Sequence, residues 1–147
     1  MEITIRKGTQ KDIQLILDLL YQLGRPNPVD DEFKIFKNKM KDYFSNPQKA
    51  IFVAETDSTI VGLVSIILLS RLNRTKLEMY IPELIVTKKL RYLGIGKKLI
   101  QYCLEFAREK DCYRIRLESG NQRKESHKFY KNLGFAQVAL TFSKNLL

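Results

Sequence analysis

The chain has 147 residues, 44% hydrophobic and 29% charged, the size and make-up of one globular domain that needs no disulfide or metal staple. Its net charge of +10, from 26 basic and 16 acidic residues, predicts an anionic partner, with nucleic acid, a membrane surface and a phosphate-rich cofactor as the classes that fit. No apolar run approaches the ~20 residues that span a bilayer, and two cysteines with one histidine offer no zinc-binding spacing, so neither a membrane span nor a metal site is expected.

Met1 to Arg6 alternates as a strand does and lacks the apolar core of a signal peptide, which predicts a strand to about Lys7 and a cytoplasmic protein. Thr9 with Asp12 reads as a capping box opening a helix to about Leu23, with Ile13, Ile16, Leu17 and Leu20 as its apolar stripe. Gly24 to Asp31 holds two prolines and reads as a loop. A second helix then starts at Asp30 or Asp31 and puts Phe33, Phe36, Met40, Tyr43 and Phe44 on one face.

Three strands are expected next, over about Ala50–Glu55, Thr59–Leu69 and Lys76–Val86, the first two joined by a hairpin turn at Asp57-Ser58. In the third, the apolar parity changes at Pro82, and one extra residue there, a β-bulge, would restore a single buried face. A long amphipathic helix over about Gly94–Lys110 turns Leu99, Ile100, Cys103, Leu104 and Ala107 inward. A strand at Tyr113–Glu118, a short helix at Arg123–Asn132 stopped by Leu133-Gly134, and a last strand at Phe135–Phe142 complete the pattern. Both cysteines read as small buried hydrophobes. The strand-helix-strand part needs a parallel crossover, so the sheet is mixed, with helices packed on its faces.

Two stretches carry chemistry. In Val86 to Lys98, a strand runs into a basic loop and two glycines open a helix. Unpaired amides at a helix start hold phosphate oxygens, and glycine lets the backbone come close. Lys88, Lys89, Arg91, Lys97 and Lys98 add charge; the plain alternative is a turn that needs two glycines beside a solvated basic face. In Glu118 to Phe135, Ser126, Phe129, Tyr130 and Leu133 share one helix face, and a core role for Tyr130 is the plain alternative.

Together these stretches resemble the GNAT acetyltransferases. Arg91-Tyr92-Leu93-Gly94-Ile95-Gly96 is similar to that family's R/Q-x-x-G-x-G/A acetyl-CoA motif, and His127 to Phe135, with Phe129-Tyr130 and Leu133-Gly134-Phe135, to its downstream F-Y-x-x-L-G-F motif. Within the family, the closing part (S-G-N-Q-R, H-K-F-Y, T-F-S-K) is similar to aminoalkylphosphonate N-acetyltransferases. The resemblance implies an α+β, GNAT-like fold in one domain over 1–147: a mixed, mostly antiparallel sheet with a splayed parallel strand pair and helices on both faces. It also implies an acetyl-CoA-dependent N-acetyltransferase. The edge at Leu84, Ile85 and Val86 would take the pantetheine arm. The backbone from Arg91 through Tyr92, Leu93, Gly94, Ile95 and Gly96 to Lys97 would take the pyrophosphate. Asn121, Ser126, Phe129 and Tyr130 would complete the cofactor site.

By the same resemblance, an N–H near Ile85 or Val86 binds the oxyanion and Tyr130 serves the departing thiolate. Glu83, where the family often has an acid, is the expected base, with a solvent-facing strand glutamate as the competing role and Glu78 in reserve. The family's usual E-D pair reads Pro82-Glu83 here, one acid short. Asn121 serves equally as a turn residue. His127 is given a surface or capping role. Asp30, Asp31 and Glu32, with Arg71 and Arg74, would read a charged substrate of either sign or simply be surface. The expected partners are CoA and a small-molecule or protein amine, with a homodimer left open; nucleic acid is not expected, because most aromatics sit at core spacing. A basic nucleic-acid-binding module and a catalytically silent acetyl-CoA-binding regulatory domain are the alternatives.

Overall fold

The computed structural model describes residues 1–22 and 30–147. Its Cα packing forms two compact units, Met1–Arg116 and Leu117–Leu147, taken here in turn.

The first unit opens with strand β1 (Thr4–Lys7), then a 3-10 turn (Gln10–Asp12) leading into helix α1 (Ile13–Gln22). The expected Thr9–Asp12 cap is present: the Thr9 N–H donates to Asp12 Oδ2 at 2.8 Å. Arg6 also clamps Asp12, from Nη1 at 2.7 Å and Nη2 at 2.8 Å. Helix α2 (Asp30–Ser45) follows; its capping residue and the Gly24–Val29 loop lie outside the described residues. Next come β2 (Lys49–Thr56), β3 (Thr59–Leu69), β4 (Glu78–Ile81), β5 (Leu84–Val86), helix α3 (Ile95–Glu109) and β6 (Arg114–Leu117). The β2–β3 turn at Asp57-Ser58 has φ of +47° and +60°, the primed hairpin geometry that suits strand twist.

Strand order is β1-β2-β3-β4-β6, with β5 also on β3; β1 to β5 pair antiparallel, and the α3 crossover brings β6 beside β4 in a mixed sheet. Period-two alternation sorts the side chains to two faces. Ile51, Val53 and Leu63 pack on Ile13, Ile16 and Leu17 of α1 and on the predicted α2 face, Phe33, Phe36, Met40, Tyr43 and Phe44. On the other face, fully buried Phe52 meets Tyr102 and Phe106 of α3 edge-on, at 4.8 and 5.1 Å between ring centroids. A side chain buried this way stabilises the fold by about 1.5–3 kcal/mol, so both helix layers are fixed by apolar burial.

The second unit holds helix α4 (Lys124–Asn132), which ends at Gly134 with φ +91°. The strand expected over Phe135–Phe142 is not formed: residues 135–147 carry no regular structure, and Val138, Leu140 and Phe142 are 72–88% exposed. Alternating apolar residues express a preference for a half-buried surface. Only a laddered neighbour turns that preference into a strand, and the segment has none here.

Candidate active site

The bulge expected at Pro82 breaks the third strand in two. Tyr80 pairs with Ile67 and Leu84 with Val64, so three residues, Ile81, Pro82 and Glu83, oppose two, Ser65 and Ile66. Proline has no N–H for the ladder, and the extra residue bends the chain. Ser65 fills the gap. Its N–H donates to the Glu83 carbonyl at 3.0 Å, its Oγ accepts the Glu83 N–H at 3.0 Å, and the hydroxyl donates to the Glu83 carboxylate. Glu83 is thus an exposed carboxylate held from below by a buried serine. The Tyr43 hydroxyl of α2 joins the group. Burial raises the Tyr43 phenol, and the Glu83 charge adds to the rise, while the hydrogen bond with Ser65 opposes it.

Past the bulge the sheet opens. Among the described residues β4 has neighbours on both sides, β3 and β6, whereas β5 pairs with β3 alone. Ser65 donates to the Glu83 carbonyl and Thr87 to the Val61 carbonyl, and antiparallel pairs alternate. Ile85 therefore turns its amide into β3, and Leu84 and Val86 turn theirs to the open edge. Of the two amides expected for an oxyanion, the register presents that of Val86.

Beyond β5, a 3-10 turn (Lys88–Leu90) leads to Arg91, whose Nε donates to the Val86 carbonyl at 3.3 Å. Gly94 caps α3 with φ +85°, and a Cβ built there would meet nothing within 4 Å. The Lys98 N–H is bonded to the Gly94 carbonyl at 3.1 Å, so the Ile95, Gly96 and Lys97 amides precede the helical ladder and have no acceptor within it. Tyr92 and Leu93 are exposed at 87% and 59%, Tyr92 with φ +66°, while the Ile95 side chain is buried in the core. Of Ile95, the backbone alone is available to a ligand.

The remaining expected residues lie in the second unit. Tyr130 is half-buried, edge-on to Phe129 at 5.1 Å and Phe135 at 5.8 Å, and burial raises its pKa while the Arg123 charge opposes the rise. Ser126 and Phe129 are half-buried on the same helix and Asn121 is exposed. His127, expected in a surface or capping role, has Nε2 2.8 Å from the Gly120 carbonyl and ties the loop before α4 to the helix; the helix N-cap itself is Arg123. Ser119 Oγ is buried without a partner, a position a ligand's polar group would satisfy.

A family model described as the acetyltransferase (GNAT) family matches residues 16–135. The chain belongs to the GNAT acetyltransferase family. The aminoalkylphosphonate N-acetyltransferase of Salmonella typhimurium is 25% identical over 97% of this chain and 90% of that one. Human N-acetyltransferase 8 is 26% identical over 69% of this chain, a match that spans 45% of the human protein. A solved structure of the aminoglycoside N-acetyltransferase AAC(6')-Iy in complex with CoA shares the fold. Its TM-score is 0.84 at 18% identity, over 99% of this chain and 96% of that one. This GNAT protein is an N-acetyltransferase. Among its described residues no helix is long and apolar enough to cross a membrane, and no three metal-ligating side chains gather.

Sequence reasoning on this GNAT chain missed two features. The Ser65 clamp was hidden because a serine inside an apolar strand looks like a neutral interruption. Glu78, held in reserve as a base, is fully buried beneath Arg71, Arg114, Arg116 and Tyr113. Burial pushes its pKa up, but the hydrogen bonds from Arg114 and Arg116 outweigh that and hold it below 4.5. A carboxylate so committed is a poor proton acceptor. Of the two arginines expected either to read substrate or to be surface, Arg71 belongs to that cluster and Arg74 borders it over the Tyr113 ring.

Proposed function

We propose that the protein transfers the acetyl group of acetyl-CoA to a primary amine by direct attack on the thioester, and that the two units form one catalytic domain over 1–147. The observation that carries this reading is the one-sided strand β5. Its open amide edge, Leu84–Val86, follows the bulge that holds Glu83 and leads through the Lys88–Leu90 turn to the Gly94-capped helix. An extended pantetheine amide chain would pair with that edge as an added strand does, through Leu84 and Val86. The amides of Gly94 to Lys97 would hold the pyrophosphate, aided by Arg91 and by the open space on the Cβ side of Gly94. Asn121, Ser126 and Phe129 would complete the cofactor site. The CoA-bound neighbour of the same fold supports acetyl-CoA as the donor.

Acetyl-CoA supplies the activated acetyl thioester. Glu83, anchored by Ser65, takes the proton from the ammonium form of the acceptor, directly or through one water, because only the neutral amine has a lone pair to attack. The Val86 amide would stabilise negative charge developing on the acetyl carbonyl oxygen. Tyr130 would donate its proton to the departing thiolate, and the second proton lost from nitrogen as the amide forms would return to the phenol through solvent. Its burial keeps the phenol protonated at neutral pH, as a donor requires.

The test is acetyl-CoA turnover over a panel of primary amines, followed by thiol release, in wild type and Tyr130→Phe. Thioester sulfur accepts hydrogen bonds poorly and thiolate accepts them well, so the tyrosine helps the transition state more than the bound ground state. The substitution should lower kcat by about 10- to 1000-fold with acetyl-CoA affinity nearly intact. Equal kcat in the two proteins would remove Tyr130 from the mechanism, and no thiol release with any amine would remove the acetyl-transfer reading.

A further inference from the structure

A serine 4% exposed inside the apolar strand β3 is costly unless its hydroxyl is bonded. The bulge supplies one use for it: the Glu83 N–H donates to Ser65 Oγ at 3.0 Å. For that bond an acceptor is enough, and the hydroxyl proton is left over. It goes to the Glu83 carboxylate. The N–H and the carboxylate of one residue thus converge on one oxygen. This closes a ring through the Glu83 side chain and fixes its torsions, whereas an exposed glutamate without such a tie spreads over many rotamers. A hydroxyl has one proton and two lone pairs. With the proton on the carboxylate and one lone pair on the Glu83 amide, the second lone pair is open to the Tyr43 hydroxyl of α2, which is bonded to Ser65. Tyr43 is itself held, because Lys49 Nζ lies 5.2 Å from its ring centroid and 2.7 Å from Asp42 Oδ2.

The tie is one-sided. Ser65 takes Glu83 Oε2, and among the described residues Oε1 has no partner. Ser65 is also the register partner of Ile51, so it shares the sheet face that packs on α1 and α2, away from α3. We propose that Ser65 is a positioning residue for acetyl transfer. It pins Oε2 of Glu83, so that Oε1 takes the proton of the acceptor ammonium on the α1–α2 side of the sheet. In that step an ammonium N–H bond breaks, its electron pair stays on nitrogen as the attacking lone pair, and an O–H bond forms at Oε1, directly or through one water. The exposed carboxyl then returns the proton to solvent. This deepens the acetyl-transfer reading and rests on it for the role of Glu83.

The experiment is a double-mutant cycle at saturating acetyl-CoA, read as kcat per folded molecule and as amine KM on the best acceptor of the amine panel. Its variants are Ser65→Ala, Ser65→Thr, Glu83→Gln, and Ser65→Ala combined with Glu83→Gln. A misplaced reacting group costs up to about 100-fold, so Ser65→Ala should lower kcat by about 10- to 100-fold. Amine KM should stay within about 3-fold, because the lost interaction serves the transition state. Ser65→Thr keeps the hydroxyl and should keep most of the activity. Glu83→Gln should lower kcat by about 100-fold or more. The double variant should be no slower than Glu83→Gln, since Ser65 then has no base to position. Losses that multiply in the double variant, or equal losses for Ser65→Ala and Ser65→Thr, overturn the proposal. So does an unchanged kcat in Ser65→Ala beside a slow Glu83→Gln, and in that case Glu83 remains the base. An unchanged kcat in Glu83→Gln removes Glu83 as the base and the role of Ser65 with it, while acetyl transfer stands.

Discussion

A carboxylate with no exposed surface survives in a fold only if its charge is matched where it lies, and Glu78 is matched by groups from two other segments. Its folded pKa is held below 4.5, so folding favours the charged form. The stabilisation is therefore present above the unfolded value and lost as pH falls through the depressed folded one. Glu78→Gln should cost about 1–3 kcal/mol near neutral pH, at the modest end for a buried pair because the arginines left behind still touch water. The gap between the Tm of wild type and variant should be widest near pH 7 and narrow below pH 4.5; a gap independent of pH would show that Glu78 is not the titrating group. No local reading of the sequence finds this cluster. Glu78 looks like a strand residue of alternating pattern, and its partners Arg114 and Arg116 are 36 and 38 positions away. The place of Glu83 at the bulge, by contrast, was legible, because the proline beside it sets the bulge.

The helix cap at Gly94 is the element on which the cofactor reading turns. Its φ of +85° costs a β-branched residue about 1–2 kcal/mol, and since an added Cβ meets nothing within 4 Å, that strain is the whole local cost in the free protein. Gly94→Val should therefore fold but lose most of the Tm rise given by acetyl-CoA. Gly94→Asn, which adopts this backbone more readily, should keep more of it. Thermal melts of the three proteins with and without acetyl-CoA decide the point, and equal rises in all three would clear Gly94 of any part in binding. Elements with local determinants were readable in advance. The Thr9–Asp12 cap, the Asp57-Ser58 turn, the α3 stripe and the one-residue bulge at Pro82 are each set by residues a few positions apart. The expected C-terminal strand was not, because strand formation depends on a neighbour, and Val138, Leu140 and Phe142 stand exposed. The open edge of β5 was legible only through the family motifs, since splaying is a property of three strands together.

At the scale of the molecule, the net charge of +10 indicates an anionic partner without naming it, and part of that charge stands around the α3 N-terminus, the place the proposed function gives to the donor's phosphates. Lys88, Lys89, Arg91, Lys97 and Lys98 are exposed around the α3 N-terminus. At about 100 times its Kd, a ligand that binds only the folded state adds about 2.7 kcal/mol, which for a chain of this length raises Tm by roughly 5–10 °C. If exposed lysines and arginines supply much of the attraction, salt must weaken it, because the screening length falls from about 10 Å at 0.1 M to about 3 Å at 1 M. The acetyl-CoA-dependent shift, taken as the difference between liganded and free protein at each ionic strength, should therefore shrink markedly between 0.1 and ~1 M salt. Taking the difference removes the effect of salt on the free fold. An acetyl-CoA shift that ignores salt would mean that amide pairing along β5 dominates and the basic loop is a solvated surface. No shift at either ionic strength, together with a heparin-induced one, would assign the positive charge to a polyanion and return the loop to the plain role of a turn that needs its glycines.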